Sequence, residues 1–387
     1  MLTKSEFAIV GGGVAGLTAG IALEQLGRDF CLFEQTKEVK GIGAGFGLAA
    51  NAMRALEILG LRPEVEKIGY YLGSFAILDQ RGNILVNPNT STLSDKYQQQ
   101  NFAIHRADLH LYLLSKLQAQ RLQLGKQAIE LVQKSDSILL SFADGSKHEC
   151  KYLIIADGVK SPLRQQLVPT SSPRYAGYSC WRATIDNSEI QLSLGTETWG
   201  KDGRFGMTPL VNNRIYWYAC INGPRNHPAF SKYRVADLQK QFADYHDPIP
   251  TLLANTRDED LIWSDIIDIA PLKNLAYGNI LLIGDAGHAT TPNMGQGACQ
   301  ALEDVVVLQD ELKKKTDVLA AFKSFEHRRL ARTKYITDTS KMIGQVSQWE
   351  NPIMISVRNT MMKMLPAKAN QKALEKLFKQ DFMTLNT

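Results

Sequence analysis

The first residues able to do chemistry are three glycines and an acid. Gly11, Gly13 and Gly16 stand in a G-x-G-x-x-G turn, and Glu34 follows eighteen residues after the last of them. Each glycine has its own task. Gly11 permits a tight turn, Gly13 lets the backbone approach a pyrophosphate, and Gly16 lets a helix and a strand pack closely. The N–H groups and dipole of a helix starting there favour an anion. A carboxylate at Glu34 can accept both hydroxyls of an adenosine ribose. Turn and acid together predict a dinucleotide site.

The flanking elements put these residues in place. Phe7–Val10 is a short apolar run suited to a buried parallel strand. From Val14, Leu17, Ile21, Leu23 and Leu26 recur at helical spacing, and Gly27 suits a helix C-terminus. Phe30–Phe33 is the next strand. Gly41–Leu61 reads as a glycine-rich loop entering an amphipathic helix with Met53, Leu56 and Leu59 on one stripe. No strand feeds that loop, so it is not a second fingerprint. Ala103–Leu117 reads as a helix with Arg106 near its start. Glu149–Leu167 holds a strand ending in Asp157-Gly158. Ile280–Ile283 is a strand followed by Gly284-Asp285, a loop, and a helix starting near Gly295. Its bare N–H groups suit an electron-rich partner such as the C2 oxygen and N1 of an isoalloxazine. Asp285 is set to accept from a ribityl hydroxyl.

With the G-x-G-x-x-G turn and Glu34, the "HRADL" arginine, the "ADG" turn and "GDAGH…PNMGQG", the chain resembles the FAD-dependent class A monooxygenases of the p-hydroxybenzoate hydroxylase superfamily. The likeness spans essentially the whole chain. It implies an α/β fold: a Rossmann-like FAD-binding domain of the GR2 type, an inserted antiparallel β-sheet substrate domain and a C-terminal helical segment. It implies that Gly11, Gly13, Ala15, Gly16, Glu34 and Gln35 hold the adenosine and pyrophosphate side of FAD. Arg106 would reach the ribityl and pyrophosphate region, Asp157 the pyrophosphate and nicotinamide, and Asp285 the ribityl chain. Pro292, Gly295, Gln296, Gly297, Ala298 and Cys299 would line the pyrimidine edge of the flavin. His288 reads as a structural histidine rather than a base. NADPH or NADH would reduce the flavin and leave, and O2 would then yield a C4a-hydroperoxyflavin. That species inserts one oxygen into an electron-rich aromatic, heteroaromatic or olefinic molecule, by hydroxylation or epoxidation. The flavin carries the hard chemistry, so no triad or metal cluster is needed.

Strand-like stretches lie between the flavin segments. Ser74–Val86 reads as a hairpin around Arg81-Gly82-Asn83. Arg174–Ile185, Arg204–Val211 and Arg214–Asn222 read as an antiparallel sheet, the last two joined at Asn212-Asn213. Alternation puts Tyr178, Cys180 and Arg182 on one face, and Tyr216, Tyr218 and Cys220 on one face of another strand. In the similar FAD-dependent urate hydroxylases an arginine and a tyrosine fall at Arg204 and Tyr216, and an asparagine falls at Cys180. A thiol lacks the amide's paired donor and acceptor, which disfavours urate. Cys180, Arg182, Arg204, Tyr216 and Pro292 are the expected pocket. Arg204 and Tyr216 would orient substrate, with Arg204 at the mouth of the sheet. The expected domains are residues 1–70, 100–172 and 270–345 for FAD, 71–99 and 173–269 for substrate, and 346–387 as a C-terminal helical segment.

Composition sets the outer bounds. The chain has 387 residues, 44% apolar and 21% charged, with room for two cores. A net charge of +5 with scattered basic residues gives no nucleic-acid signature. Five cysteines without a CxxC pair suit a reducing cytoplasm. No room for a signal peptide is expected before Phe7, nor a stretch able to span a bilayer. The basic stretch Asn359–Gln380 reads as a helix packed on the FAD domain, with membrane-surface attachment through Lys363, Lys368, Lys372, Lys376 and Lys379 as the alternative. The protein is expected to be a monomer or weak homodimer. Two rival functions remain: a non-oxygenating flavin oxidoreductase of the same fold, and a binding protein like the guanine-nucleotide dissociation inhibitors. The W-x-W-x-I-P halogenase signature is absent. Intact Glu34, Asp285 and Gly295-x-Gly297 argue against a cofactor-free scaffold.

Overall fold

The computed structural model describes residues 2–38, 44–73, 75–86 and 101–365. Its first sheet has a parallel centre. Leu2–Val10 lies between Lys147–Ile155 and Phe30–Glu34, and Ile280–Leu282 and Leu122–Leu124 extend the two sides. Phe7, Ala8 and Ile9 are fully buried, as a central strand covered on both faces requires. The helix Val14–Gln25 buries every residue from Ala15 to Leu23, so it is a core helix rather than a half-exposed one. Gly27 closes it at φ +66°.

The second sheet has seven strands. Its centre is the antiparallel run Ile262–Asp268, Arg174–Asp186, Arg214–Asn222, Gly203–Leu210 and Gly195–Gly200. The hairpin Phe75–Asp79 and Ile84–Val86 completes it, pairing in parallel with Gly195–Gly200. Residues 211–213 join the strands Gly203–Leu210 and Arg214–Asn222, and Asn212 and Asn213 both have the positive φ that asparagine tolerates in tight turns. The strands Gly195–Gly200 and Ile262–Asp268 are additions to the expected sheet.

Alternation gives this sheet two unlike faces. One carries Trp181, Ala183, Phe205, Met207, Ile215, Trp217 and Ala219, all buried against Leu238, Phe242, Ile249, Leu252 and Leu253 of two short helices. The other carries Tyr178, Cys180, Arg182, Arg204, Tyr216, Tyr218 and Cys220.

A three-stranded sheet joins Gly45–Leu48, Asn101–His105 and Gly69–Leu72. It corrects two expectations. Residues 45–48 are strand rather than loop, and Ala103–His105 is strand, so the helix Arg106–Ser115 begins at Arg106 itself. The expected helix stripe holds: Met53, Leu56 and Leu59 are buried.

The long helix Val318–Ser347 is capped by Asp317 and is followed by Pro352–Met364. That last helix docks on the second sheet rather than on the first. Its Arg358 is buried, donates to the carbonyls of Val346, Ser347 and Trp199, and lies 5.3 Å from the Trp199 ring centre. Lys368, Lys372, Lys376 and Lys379 fall outside the described residues. Among the described residues no helix is long and apolar enough to cross a membrane.

Candidate active site

The glycine turn has the geometry its spacing predicts. Gly11 sits at φ +108°, and a Cβ there would meet the Ala156 carbonyl oxygen at 2.3 Å. A Cβ on Gly16 would lie 1.8 Å from the Gly11 carbonyl oxygen, while one on Gly13 would meet nothing within 4 Å. Two glycines therefore serve close packing, and the third leaves a clear approach to the backbone. Glu34 is fixed beside them. Its Oε2 accepts from the Gly12 N–H at 2.6 Å and its Oε1 from the Thr36 N–H at 2.9 Å. Gln35 follows at the exposed strand end.

Asp157 and Asp285 end neighbouring parallel strands. Both carboxylate oxygens of Asp157 are buried without a hydrogen-bond partner, and burial pushes its pKa up to about 6. Asp285 lies deep between elements but keeps one open side, being exposed within the otherwise buried run from Ile283 to His288. The surrounding protein raises its pKa against the pull of His288, Arg106 and Arg164. The helix Gly297–Lys314 starts beside it, since a Cβ on Gly297 would have Asp285 Oδ1 at 3.9 Å as its nearest neighbour. Gly295, at φ +62°, would meet nothing. Pro292 and Gly295 are exposed and Ala298 is half-buried. Bare helix N–H groups and open glycines suit the phosphates and polar edge of FAD, and a buried carboxylate without a partner suits a hydroxyl or N–H donor.

Two of the expected flavin neighbours point elsewhere. Gln296 is fully buried and its Oε1 accepts from Asn51 and Gln300. Cys299 is also fully buried. Its Sγ accepts from the Ala49 N–H at 3.4 Å and donates to the Gly295 carbonyl at 3.3 Å, and burial pushes the thiol up to about 12. These side chains brace the helix start from behind. Ala15 likewise packs against Gly284, where a Cβ would approach its own Cβ to 2.8 Å.

A buried ionic brace lies under the cradle. Asp304 accepts from the Gly284 N–H at 2.8 Å, from His288 at 2.6 Å and from Arg329 at 2.7 Å. His288 is thus structural. Arg329 also pairs with Glu303, which is held in turn by Arg332 and Asn51. Arg329, Glu303 and Asp304 are all 0% exposed. Arg164 makes a second clamp, donating to Val159 at 2.7 Å and Ala286 at 3.3 Å, which ties the Asp157 turn to the Asp285 turn. Sequence reasoning missed both. A weak signal was available for Arg164: the Ser161-Pro162 helix start directly after Asp157-Gly158, whose Ser161 hydroxyl caps the Arg164 N–H.

The polar face of the second sheet is organised by register. Ser264, Cys180, Cys220, Arg204 and Trp199 form one cross-strand row. Ile262, Arg182, Tyr218, Gly206 and Glu197 form the next. Arg204 is 2% exposed, so it is sealed in rather than placed at a mouth. It donates to Gln348 Oε1 at 2.8 Å and Glu197 Oε1 at 3.1 Å, and its guanidinium lies 5.2 Å from the Tyr178 ring centre. Glu197 also accepts from Trp199 Nε1 and from the Tyr218 hydroxyl. Arg182 donates to Ser264 at 3.0 Å. Tyr216 shares this face but stands in another row, packed with Leu72, Ala103 and Leu210 and against Gly45. Tyr178 donates to Asn293 Oδ1 at 3.0 Å, which joins this face to the Pro292–Met294 turn.

Residues 4–340 match the FAD binding domain family. The chain is 35% identical to the aurachin C monooxygenase/isomerase of Stigmatella aurantiaca, across 94% of this chain and 95% of that one. It is 29% identical to the 2-heptyl-3-hydroxy-4(1H)-quinolone synthase of Pseudomonas aeruginosa, across 96% and 97%. Among solved structures, HpxO of Klebsiella pneumoniae with FAD and uric acid superimposes with a TM-score of 0.90 at 27% identity, covering 97% of each chain. The chain therefore belongs to the FAD binding domain family and is a class A FAD-dependent monooxygenase, drawing electrons from NAD(P)H and oxygen from O2.

Proposed function

We propose that this enzyme hydroxylates a flat nitrogen heteroaromatic of the 4-quinolone kind, held between the FAD cradle and the polar sheet face. The observation that carries the reading is the make-up of that face. Three tyrosines and two thiols surround two fixed guanidinium groups, and the face has few exposed hydrogen-bonding groups left to offer. Arg204 and Glu197 already satisfy one another. This wall suits a bicycle with one polar edge and one hydrocarbon edge. Urate is polar around its whole rim, and the single weak donor of Cys180 matches it poorly. The quinolone named for the Pseudomonas relative and the uric acid bound to HpxO are both planar nitrogen rings.

Bound FAD supplies reducing power from NAD(P)H and activation of O2. Glu34 would hold the adenosine ribose, Gly11, Gly13, Ala15 and Gly16 the pyrophosphate turn, and Gln35 the adenine side. Arg106, Asp157 and Asp285 would hold the central chain, with the Pro292–Ala298 backbone on the flavin ring. Arg182 is the cation nearest Tyr216, and together they would grip the polar edge of the substrate. Arg204, pinned by Glu197 and Gln348, keeps a fixed positive field behind Tyr178. Burial of Tyr178, Cys180, Arg204, Tyr216 and Cys220 would keep water from most of the face, which protects an oxygen-transferring site from wasteful decay.

The test is aerobic NAD(P)H oxidation with a panel of 4-quinolones, hydroxypyridine carboxylates and urate, with products identified by mass. A quinolone gaining one oxygen, with product matching NAD(P)H consumed, is the expected result. Coupled turnover of urate with none of any quinolone would overturn the substrate class.

A further inference from the structure

In the reading above the cysteine pair on the polar face is only passive wall. Cys180 and Cys220 are directly opposite one another on antiparallel strands, 2% and 1% exposed, and pack in one cluster with Tyr178 and Ile266. Directly opposed residues have Cα atoms about 4.5–5.5 Å apart. That lies inside the range of about 4.4–6.8 Å that a disulfide spans. Both thiols are free. Arg204 is the cross-strand neighbour of Cys220, and Arg182 stands two residues along from Cys180 on the same face.

We propose that Cys180 and Cys220 are a peroxide-reactive dithiol that closes to a cross-strand disulfide in the substrate chamber. The oxidant is hydrogen peroxide, the by-product when NAD(P)H oxidation runs without oxygen transfer. The Cys180 thiolate attacks one peroxide oxygen, the O–O bond breaks, and hydroxide leaves as water after taking a proton. Cys180 becomes a sulfenic acid. The Cys220 sulfur then attacks it, an S–S bond forms, and the hydroxyl leaves as a second water with the Cys220 proton. One peroxide is reduced to two waters and two thiols are oxidised to one disulfide.

The two sulfurs are unequal, as attack and resolution require. Burial opposes ionisation of Cys180, but the hydrogen bond from Cys220 and the charges of Arg182 and Arg204 outweigh it and lower the thiol below its ordinary value. The same hydrogen bond, then burial, holds Cys220 well above the usual thiol range. The thiolate is the reactive form, so Cys180 attacks first. The other cysteines lack this setting: Cys150 and Cys299 are both pushed up to about 12 by burial, and burial also raises Cys31.

The experiment treats folded FAD-loaded protein with hydrogen peroxide, blocks remaining thiols, and maps peptides by mass. Titratable thiols in the denatured chain should fall from five to three, with a Cys180–Cys220 linked peptide that dithiothreitol splits. In Cys220→Ser, dimedone should label Cys180 instead. In Cys180→Ser, Cys220 should stay unlabelled. Five surviving thiols in peroxide-treated wild type, or oxidation at Cys31 without the linked peptide, would overturn the proposal. The readout is chemical and independent of which substrate the enzyme accepts.

Discussion

The turn at Gly11–Gly16 and the sheet face around Arg204, given the cofactor and substrate roles in the proposal above, are built from different material. The turn is main chain. Its working surface is made by what the glycines lack, and its one fixed side chain, Glu34, is held by backbone N–H groups. The sheet face is side chain throughout, and its charges are paired before any substrate arrives: Arg204 with Glu197 and Gln348, Arg182 with Ser264. A cofactor common to a whole family can be met by backbone, which is indifferent to most substitutions. A substrate that differs between relatives must be met by groups that substitution can change. The cradle also has a hidden side-chain component, the Arg329 brace beneath Gly284, so its precision is not backbone alone.

That hidden component gives the largest expected effect. Arg329→Met leaves Glu303 and Asp304 buried with part of their positive charge removed. Breaking one partner of such a pair costs about 3–5 kcal/mol. The midpoint of chemical denaturation should drop sharply, with flavin retention falling alongside it. A loss below about 1 kcal/mol, on the scale of an exposed ion pair, would mean that the brace is dispensable and the cradle stands on its glycines. Glu34→Ala comes next. A hydrogen bond to a charged group contributes about 1.5–3 kcal/mol, so FAD should bind roughly ten- to a hundredfold more weakly. Flavin titration measures this, and an unchanged dissociation constant would detach Glu34 from the ribose. The smallest effect on stability belongs to the wall. Tyr216→Phe removes one hydroxyl and no volume, so thermal stability should move by less than about 1 kcal/mol. Product formed per NAD(P)H consumed should fall, with hydrogen peroxide making up the difference, because a slightly misplaced ring can cost up to about a hundredfold in rate. Unchanged coupling would return Tyr216 to the core cluster of Leu72, Ala103 and Leu210.

The cradle was legible because its signals are local. A turn, a capping glycine and an acid one strand later all fall within thirty residues, and glycine at a required φ leaves little choice. The Asn212-Asn213 hairpin was readable for the same reason. The misread segment, Ala103–His105, is apolar enough for either state, and only pairing with Gly45–Leu48 and Gly69–Leu72 makes it strand. Glu303 and Arg329 sit on different helices, and Arg204 and Gln348 are 144 residues apart. No periodicity can bring such partners together. The sheet face was foreseen by alternation. Its internal pairing was not, so Arg204 was expected at an opening and is found sealed.

The two-faced sheet has a consequence for how enzymes of this kind diversify. Its larger hydrophobic cluster lies on one side, where Trp181, Phe205 and Trp217 pack against the short helices. Under the function proposed above, recognition falls to the other, at residues interleaved one for one along the same strands. A substitution at an even position from 178 to 182, or from 216 to 220, would rewrite the proposed substrate wall while leaving that hydrophobic packing alone. Its odd-numbered neighbours carry the opposite risk. Strand periodicity thus partitions mutational tolerance residue by residue. A library confined to the even register of these strands should return folded, flavin-loaded variants with shifted substrate preference far more often than one of equal size in the odd register.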